Sequence, residues 1–209
     1  MRGLGVVTPE DVATFERCIS VGGVALFPAD TVYGLATEPD SKDGVHRLYR
    51  LKGRRPDKPA AVMFFRLELA LAALPELPGP TAVAVQRLLP GAVTLLVPNP
   101  AHRFPLAAGP TPEVLGLRVP SLEGRLAPLA GVAWPVLQSS ANVSGAADAR
   151  RVDEVDEGVR AGVDMILDAG ELPGVPSTVA DLTRYHEDRS HRILRPGAMS
   201  GEEIEAALQ

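Results

Sequence analysis

One cysteine, Cys18, is present in 209 residues. It rules out an internal disulfide and any multi-cysteine zinc site, and it fits a reducing cytosolic setting. Aromatic residues make up only 4% of the chain, which is poor material for a surface that reads single-stranded RNA by stacking its bases. No apolar run is long enough to span a bilayer. The amino-terminal stretch MRGLGVVTPEDVATFERC lacks the apolar core of a signal peptide. These absences lead to the expectation of a cytoplasmic protein with no membrane partner. Basic charge is also in deficit, with a formal net charge of -5, so the surface as a whole is no generic binder of nucleic acid. Several motifs are missing: G-x-x-x-x-G-K-[ST], G-x-G-x-x-G after a strand, H-E-x-x-H and G-x-S-x-G. The four histidines, His46, His102, His186 and His191, have no metal-ligand spacing. These gaps argue against a hydrolase triad and against a protein-bound metal.

What is present is ordinary for a globular domain, with 45% hydrophobic and 22% charged residues. Thr8-Pro9-Glu10-Asp11 reads as a helix start, with Thr8 as cap, and Gly22-Gly23 as its stop. Asp40 or Ser41 opens the next helix, whose apolar stripe is Val45, Leu48 and Leu51 and whose end is Gly53. Further helices are expected over Leu67–Leu74, Ala82–Leu89 and Val152–Val163, and after the capping box Ser200-Gly-Glu-Glu203. Apolar runs suggest strands at Val24–Phe27, Ala61–Phe65, Val93–Val97, Leu115–Val119, Val136–Ser139, Met165–Asp168, Thr178–Leu182 and Arg192–Leu194. The proline-rich stretch from Pro98 to Pro112 reads as a loop. The expectation is one α/β domain over residues 1–209: a twisted mixed sheet, largely antiparallel, flanked by helices.

Charge is concentrated in one place. Arg47, Arg50, Lys52, Arg54, Arg55 and Lys58 fall within twelve positions, with Asp57 the only acid among them. The helix dipole favours cations at a helix C-terminus, but Arg54 and Lys58 lie beyond the helix end. Their alternative use is a phosphate clamp, in which guanidinium forks grip oxygens and ammonium groups act as point charges. Asp30-Thr31, after the first strand, is either a chain-reversing turn or a pair of ligand contacts at a sheet edge. Gln138-Ser-Ser-Ala-Asn-Val-Ser-Gly145 supports both readings equally. Arg118, inside an apolar strand, needs an anionic partner from the protein or from a ligand. Ser177 and Arg195 follow the same logic.

Singly, none of these motifs decides a function. As an ordered set, PADTVYGL, LKGRRPDKP, LPGAVTLLV, LGLRVP, SSANVSG, PSTVADL and ILRPGA, the chain resembles the YrdC/Sua5 family of threonylcarbamoyl-AMP synthases. The resemblance covers Gly22 to Ala198, in the family's order. It implies a helix-flanked sheet around a concave basic cavity. It also implies an enzyme that makes threonylcarbamoyl-AMP and pyrophosphate from L-threonine, bicarbonate or CO2, and ATP, with Mg2+ accompanying the ATP. The product would pass to a threonylcarbamoyl-transferase complex for N6-threonylcarbamoyl modification of adenosine 37 in tRNA. By position in the family's motifs, Lys52 and Arg54 would be the catalytic pair on the triphosphate. Lys58, Asn142 and Arg195 would add ATP contacts. Thr31, Arg118, Ser140 and Ser177 would hold threonine. No protein metal ligand is implied.

The chain also departs from the family. Ala29 replaces a usual threonine, Arg55 interrupts K-x-R-P, and Met63 stands where many members carry histidine. Val114 and Arg150 replace residues that often contact ATP. The chain is expected to be the short form, without the carboxy-terminal extension domain of long members, and the loop Pro98–Pro112 is a candidate cover. The alternatives are a non-catalytic YrdC-like module with weak RNA binding, and the carbamoyl transferases of hydrogenase maturation. The latter are longer and carry zinc-finger regions that this sequence lacks.

Overall fold

The computed structural model describes residues 5–209; the first four residues of the stretch read for a signal peptide, and of the expected 1–209 domain, lie outside it. Helix α1 spans Pro9–Ser20 and opens on a complete capping box between Thr8 and Asp11. It packs Phe15 into an aromatic cluster with Phe27 and Phe65, with ring centroids 5.4 to 6.1 Å apart. These are ordinary packing distances for aromatic pairs. Strand β1 (Ala25–Pro28) turns through residues 29–32 into β2 (Tyr33–Thr37). The sequence reading missed β2. Its Tyr-Gly-Leu-Ala-Thr run does not alternate, because the strand is buried on both faces.

Ser41 is the cap of α2 (Lys42–Leu51), its hydroxyl accepting from the Gly44 amide. Strand β3 (Ala61–Met63) follows, then α3 (Leu67–Ala73) and α4 (Gly79–Leu88). Next come β4 (Val93–Pro98), the short α5 (Pro105–Ala108) inside the expected loop, β5 (Val114–Arg118) and β6 (Val136–Ser140). One helix was expected over 152–163. The chain instead makes a 3-10 turn at Val152–Glu154 and restarts as α6 (Glu157–Gly162). Asp156 causes the break: its side chain accepts from the Val159 amide and caps a new helix instead of continuing an old one. Strands β7 (Met165–Ile166) and β8 (Thr178–Asp181), helix α7 (Tyr185–Asp188), strand β9 (Arg192–Arg195) and helix α8 (Gly201–Leu208) complete the fold. Helix α8 opens on the expected Ser200–Glu203 capping box.

The nine strands form a single sheet in the order β7-β1-β2-β6-β3-β5-β4-β8-β9. Pairings β1–β7, β3–β5 and β4–β8 are parallel and the others antiparallel, so the expected mixed, largely antiparallel sheet is present. Strand β4 shows how the two faces divide. Val93, Leu95 and Val97 are fully buried in the core, while Thr94 and Leu96 on the other face are partly exposed.

Tyr33 ties the β7 edge to the centre. Its hydroxyl lies 3.0 Å from Asp168 Oδ1 and 2.8 Å from the Gly170 carbonyl, and it accepts from the Ala169 amide at 3.0 Å. Burial pushes its pKa well above the usual tyrosine range. Replacing Tyr33 with Phe strands these partners, and a stranded buried donor costs about 1–3 kcal/mol. Urea denaturation of Y33F is expected to show a lowered midpoint with an unchanged m-value.

Candidate active site

The partly exposed sheet face forms the floor of a cavity of about 310 Å³. Two rows of paired positions cross it. One row runs Gln138–Ala61–Gly116–Leu96 over β6, β3, β5 and β4. The second runs Thr94–Val179–Arg195 over β4, β8 and β9, and all seven residues line the cavity. Gly116 keeps the floor deep, since a Cβ there would meet Ala61 Cα at 3.2 Å.

Charged groups line it unequally: Arg54, Arg118 and Arg195 against one acid, Asp148. Arg118, at the end of β5, is buried and is held from the β1–β2 turn. Its Nη2 donates to Asp30 Oδ1 and, at 2.8 Å, to Thr31 Oγ1. Asp30 Oδ2 is fixed in turn by the Ser121 amide at 2.9 Å. The ion-pair reading of Arg118 therefore holds, but it does not exhaust the guanidinium. Its Nε–H is buried without any partner among the described residues. An unpaired buried donor is costly, and this one belongs to a side chain facing the cavity.

Arg54 lines the same cavity. Gly53, at φ +57, adopts the left-handed turn that ends α2 and redirects the chain toward the cavity. Arg54 stacks over the Tyr49 ring at 5.6 Å and donates to the Pro59 carbonyl, while its Nε–H also lacks a partner. Arg195 donates to the Ser177 carbonyl at 2.6 Å, and the Ser177 hydroxyl lies 2.9 Å from Thr94 Oγ1. Thr31, Arg54, Arg118, Ser140, Ser177 and Arg195 thus converge on one cavity.

Lys52, Asn142 and Lys58 are placed differently. Lys52 is buried behind the wall, and its ammonium donates to the Ser140 carbonyl, to the Asn142 carbonyl at 2.7 Å and to Asn142 Oδ1 at 3.1 Å. It braces the loop after β6 rather than facing the cavity. Asn142 accepts from Lys52 and from the Ser140 hydroxyl and donates to the Ala146 carbonyl. Lys58 is exposed on the loop after Arg54. The sequence reading missed Thr94, Thr111 and Asp148 and named Gln138 only within its polar segment; all four line the cavity. Thr94 had a usable signal, a lone hydroxyl on the polar side of an alternating strand. Thr111 lies in the proline-rich segment expected as a cover.

Comparison with known proteins bears on the family and the fold. A family model for Sua5, YciO and YrdC proteins, described as "telomere recombination", matches residues 17–197. The chain belongs to this family. A threonylcarbamoyl-AMP synthase of Pyrococcus abyssi is 30% identical over 91% of the chain and 55% of its own length. One from Bacillus subtilis is 30% identical over 88% of the chain and 53% of its own length. The chain therefore spans about half the length of these relatives. One from Hahella chejuensis is 29% identical over 79% of the chain and 92% of its own length. Among solved structures, P. abyssi Sua5 in complex with L-threonine superposes with a TM-score of 0.80 at 27% identity, over 96% of this chain and 58% of that one. YciO from E. coli shares the fold, with a TM-score of 0.75 at 21% identity and 96% coverage of both chains.

Burial, and the positive charge of Arg54 nearby, lower the Lys52 pKa from 10.5 to about 8. A lysine depressed in this way binds fewer protons folded than unfolded between these two values, so it makes stability rise with pH across that window. The stability difference between wild type and K52M is expected to shift in favour of wild type from about pH 8 to about 10.5. Chemical denaturation at several pH values checks this, and a flat difference contradicts it.

Proposed function

We propose that the chain is a threonylcarbamoyl-AMP synthase acting on L-threonine, bicarbonate or CO2, and ATP. One observation carries this reading. A buried arginine, Arg118, held by Asp30 and Thr31, lines a cavity whose other walls carry Arg54 and Arg195. Such a site suits a small carboxylate at one station and a polyphosphate at another. The names of the relatives and the threonine complex of P. abyssi Sua5 point the same way.

The proposed chemistry needs positioning more than a strong base. The threonine amine adds to CO2 with loss of a proton, or to bicarbonate with loss of water, and gives a carbamate. A carbamate oxygen attacks the α-phosphorus of ATP, the P–O bond to the β-phosphate breaks, and pyrophosphate leaves. Transfers of this kind depend on alignment and neutralised charge. Arg118 pairs with the threonine carboxylate, with Thr31, Ser140 and Ser177 as hydroxyl contacts. Arg54 and Arg195 neutralise the phosphates. Lys52 supports the Ser140–Asn142 wall and contributes its charge from behind, and Lys58 adds charge from the loop. Mg2+ enters with the ATP. The donor set suits such a nucleotide-borne ion: among the described residues no group of three or more His, Cys, Asp or Glu side chains could cage a metal, and Mg2+ keeps much of its shell as water and phosphate oxygen. The product is passed on to the threonylcarbamoyl-transferase complex that modifies tRNA. No feature of the cavity favours the RNA-module alternative.

Pyrophosphate release from ATP is expected only when L-threonine and bicarbonate are both present. Release that ignores threonine, or no release, overturns the reading. R54A and R195A should each weaken ATP binding about tenfold or more, the effect of losing about 1.4 kcal/mol. Neither should change threonine binding comparably. Calorimetric titration of each ligand separates the two.

A further inference from the structure

Among the described residues, Asp148 is the only acidic side chain lining a cavity whose other charged groups are arginines. The hydrogen bonds and ion pairs that its nearby cations make all go to other groups. The three donors of an ammonium are used in Lys52 on the oxygens of Ser140 and Asn142. Arg54 donates to the Pro59 carbonyl and stacks on Tyr49. Arg150 pairs with Glu154 and Glu171. Among the described residues, none hydrogen-bonds or ion-pairs with the Asp148 carboxylate, although the carboxylate stands close enough to Lys52 to favour its charged form. A free carboxylate on the wall of an anion site is a conflict. It repels phosphate oxygens through a partly water-excluded space, where like charges interact strongly. A divalent cation between carboxylate and phosphate removes the conflict and turns repulsion into attraction.

We infer that Asp148 is the protein's contact to the divalent cation of the bound nucleotide, directly or through one of the ion's waters, and that it makes the cavity select metal-bound over metal-free nucleotide. The inference rests on the nucleotide reading of the site. One carboxylate is enough, since Mg2+ is commonly held by one or two carboxylates together with substrate phosphates. Asp148 requires no help from a metal cage, and it gives the site a sign rule. Its charge penalises bare polyphosphate and rewards the metal complex.

The test is ATP binding by calorimetry, with excess Mg2+ and with EDTA, on wild type and on D148N, which keeps size and shape. Wild type should prefer the Mg2+ complex by about tenfold, within the usual range for coupled ligands. D148N should lose affinity for the Mg2+ complex and gain affinity for metal-free ATP, so that the preference collapses. A merely structural role would weaken both forms together. Mn2+ in place of Mg2+ supplies a second readout: the electron paramagnetic spectrum of Mn2+ with protein and nucleotide should change between wild type and D148N. An unchanged metal preference and an unchanged Mn2+ spectrum in D148N overturn the inference and leave the nucleotide site standing. No ATP binding by wild type in either condition overturns both. A thermal melt of D148N close to wild type confirms that the fold is intact.

Discussion

The pairing of Asp30 with Arg118 is the interaction on which the site depends. It joins the turn between the first two strands to the end of a strand from another part of the sheet. Both side chains are almost completely withdrawn from solvent, where an unpaired charge is expensive. The pair is therefore secured by more than attraction: Thr31 shares the guanidinium and the Ser121 amide holds the second carboxylate oxygen. This arrangement fixes the direction of Arg118 before any ligand arrives. A preorganised cation spends little of its binding free energy on reorganisation. The same turn is anchored from its other side, where the Gly174 amide donates to the Thr31 carbonyl at 2.9 Å, which brings the segment leading to Ser177 beside it.

A second brace works from behind the wall. Lys52 leaves the end of its helix and turns inward, and its own carbonyl accepts from the Ser144 amide at 2.8 Å. Two parts of the chain about ninety positions apart are stapled there, in the sense that Lys52 reaches Asn142 with a sequence separation of 90. The basic knot of the sequence thus divides into parts with different tasks. Lys52 is structural support with a lowered pKa. Arg54 faces the cavity. Arg55 is exposed and pairs with Asp57, which accounts for the extra arginine in the loop without any ligand. Lys58 remains exposed.

Much of this was legible in the residues because local signals and global fold agree. The cap at Thr8, the capping box at Ser200, the stop at Gly53 and the apolar run of β4 all read correctly from short windows. What was illegible depended on burial from both faces or on distant partners. Strand β2 has no alternation because both its faces are covered. Asp148 sits in a polar stretch with no local pattern, and only the folded wall shows that it lines one cavity with three arginines. The departures from the family fall in different places. Ala29, standing where a threonine is usual, and Val114 line the cavity. Met63 is fully buried and lies opposite Arg118 in the β3–β5 pairing. Arg150 is tied into carboxylates outside the cavity.

The central claim is that Arg118, preset by Asp30 and Thr31, is a carboxylate receptor. The most direct measurement compares binding of L-threonine and of L-threoninamide to the wild-type protein by calorimetry. The amide keeps the side chain and the amine, removes the negative charge and exchanges one acceptor oxygen for an NH2 donor. The account predicts measurable threonine binding and loss of binding by the amide, with the difference carried by one charge-assisted contact. Equal binding of the two compounds would contradict it.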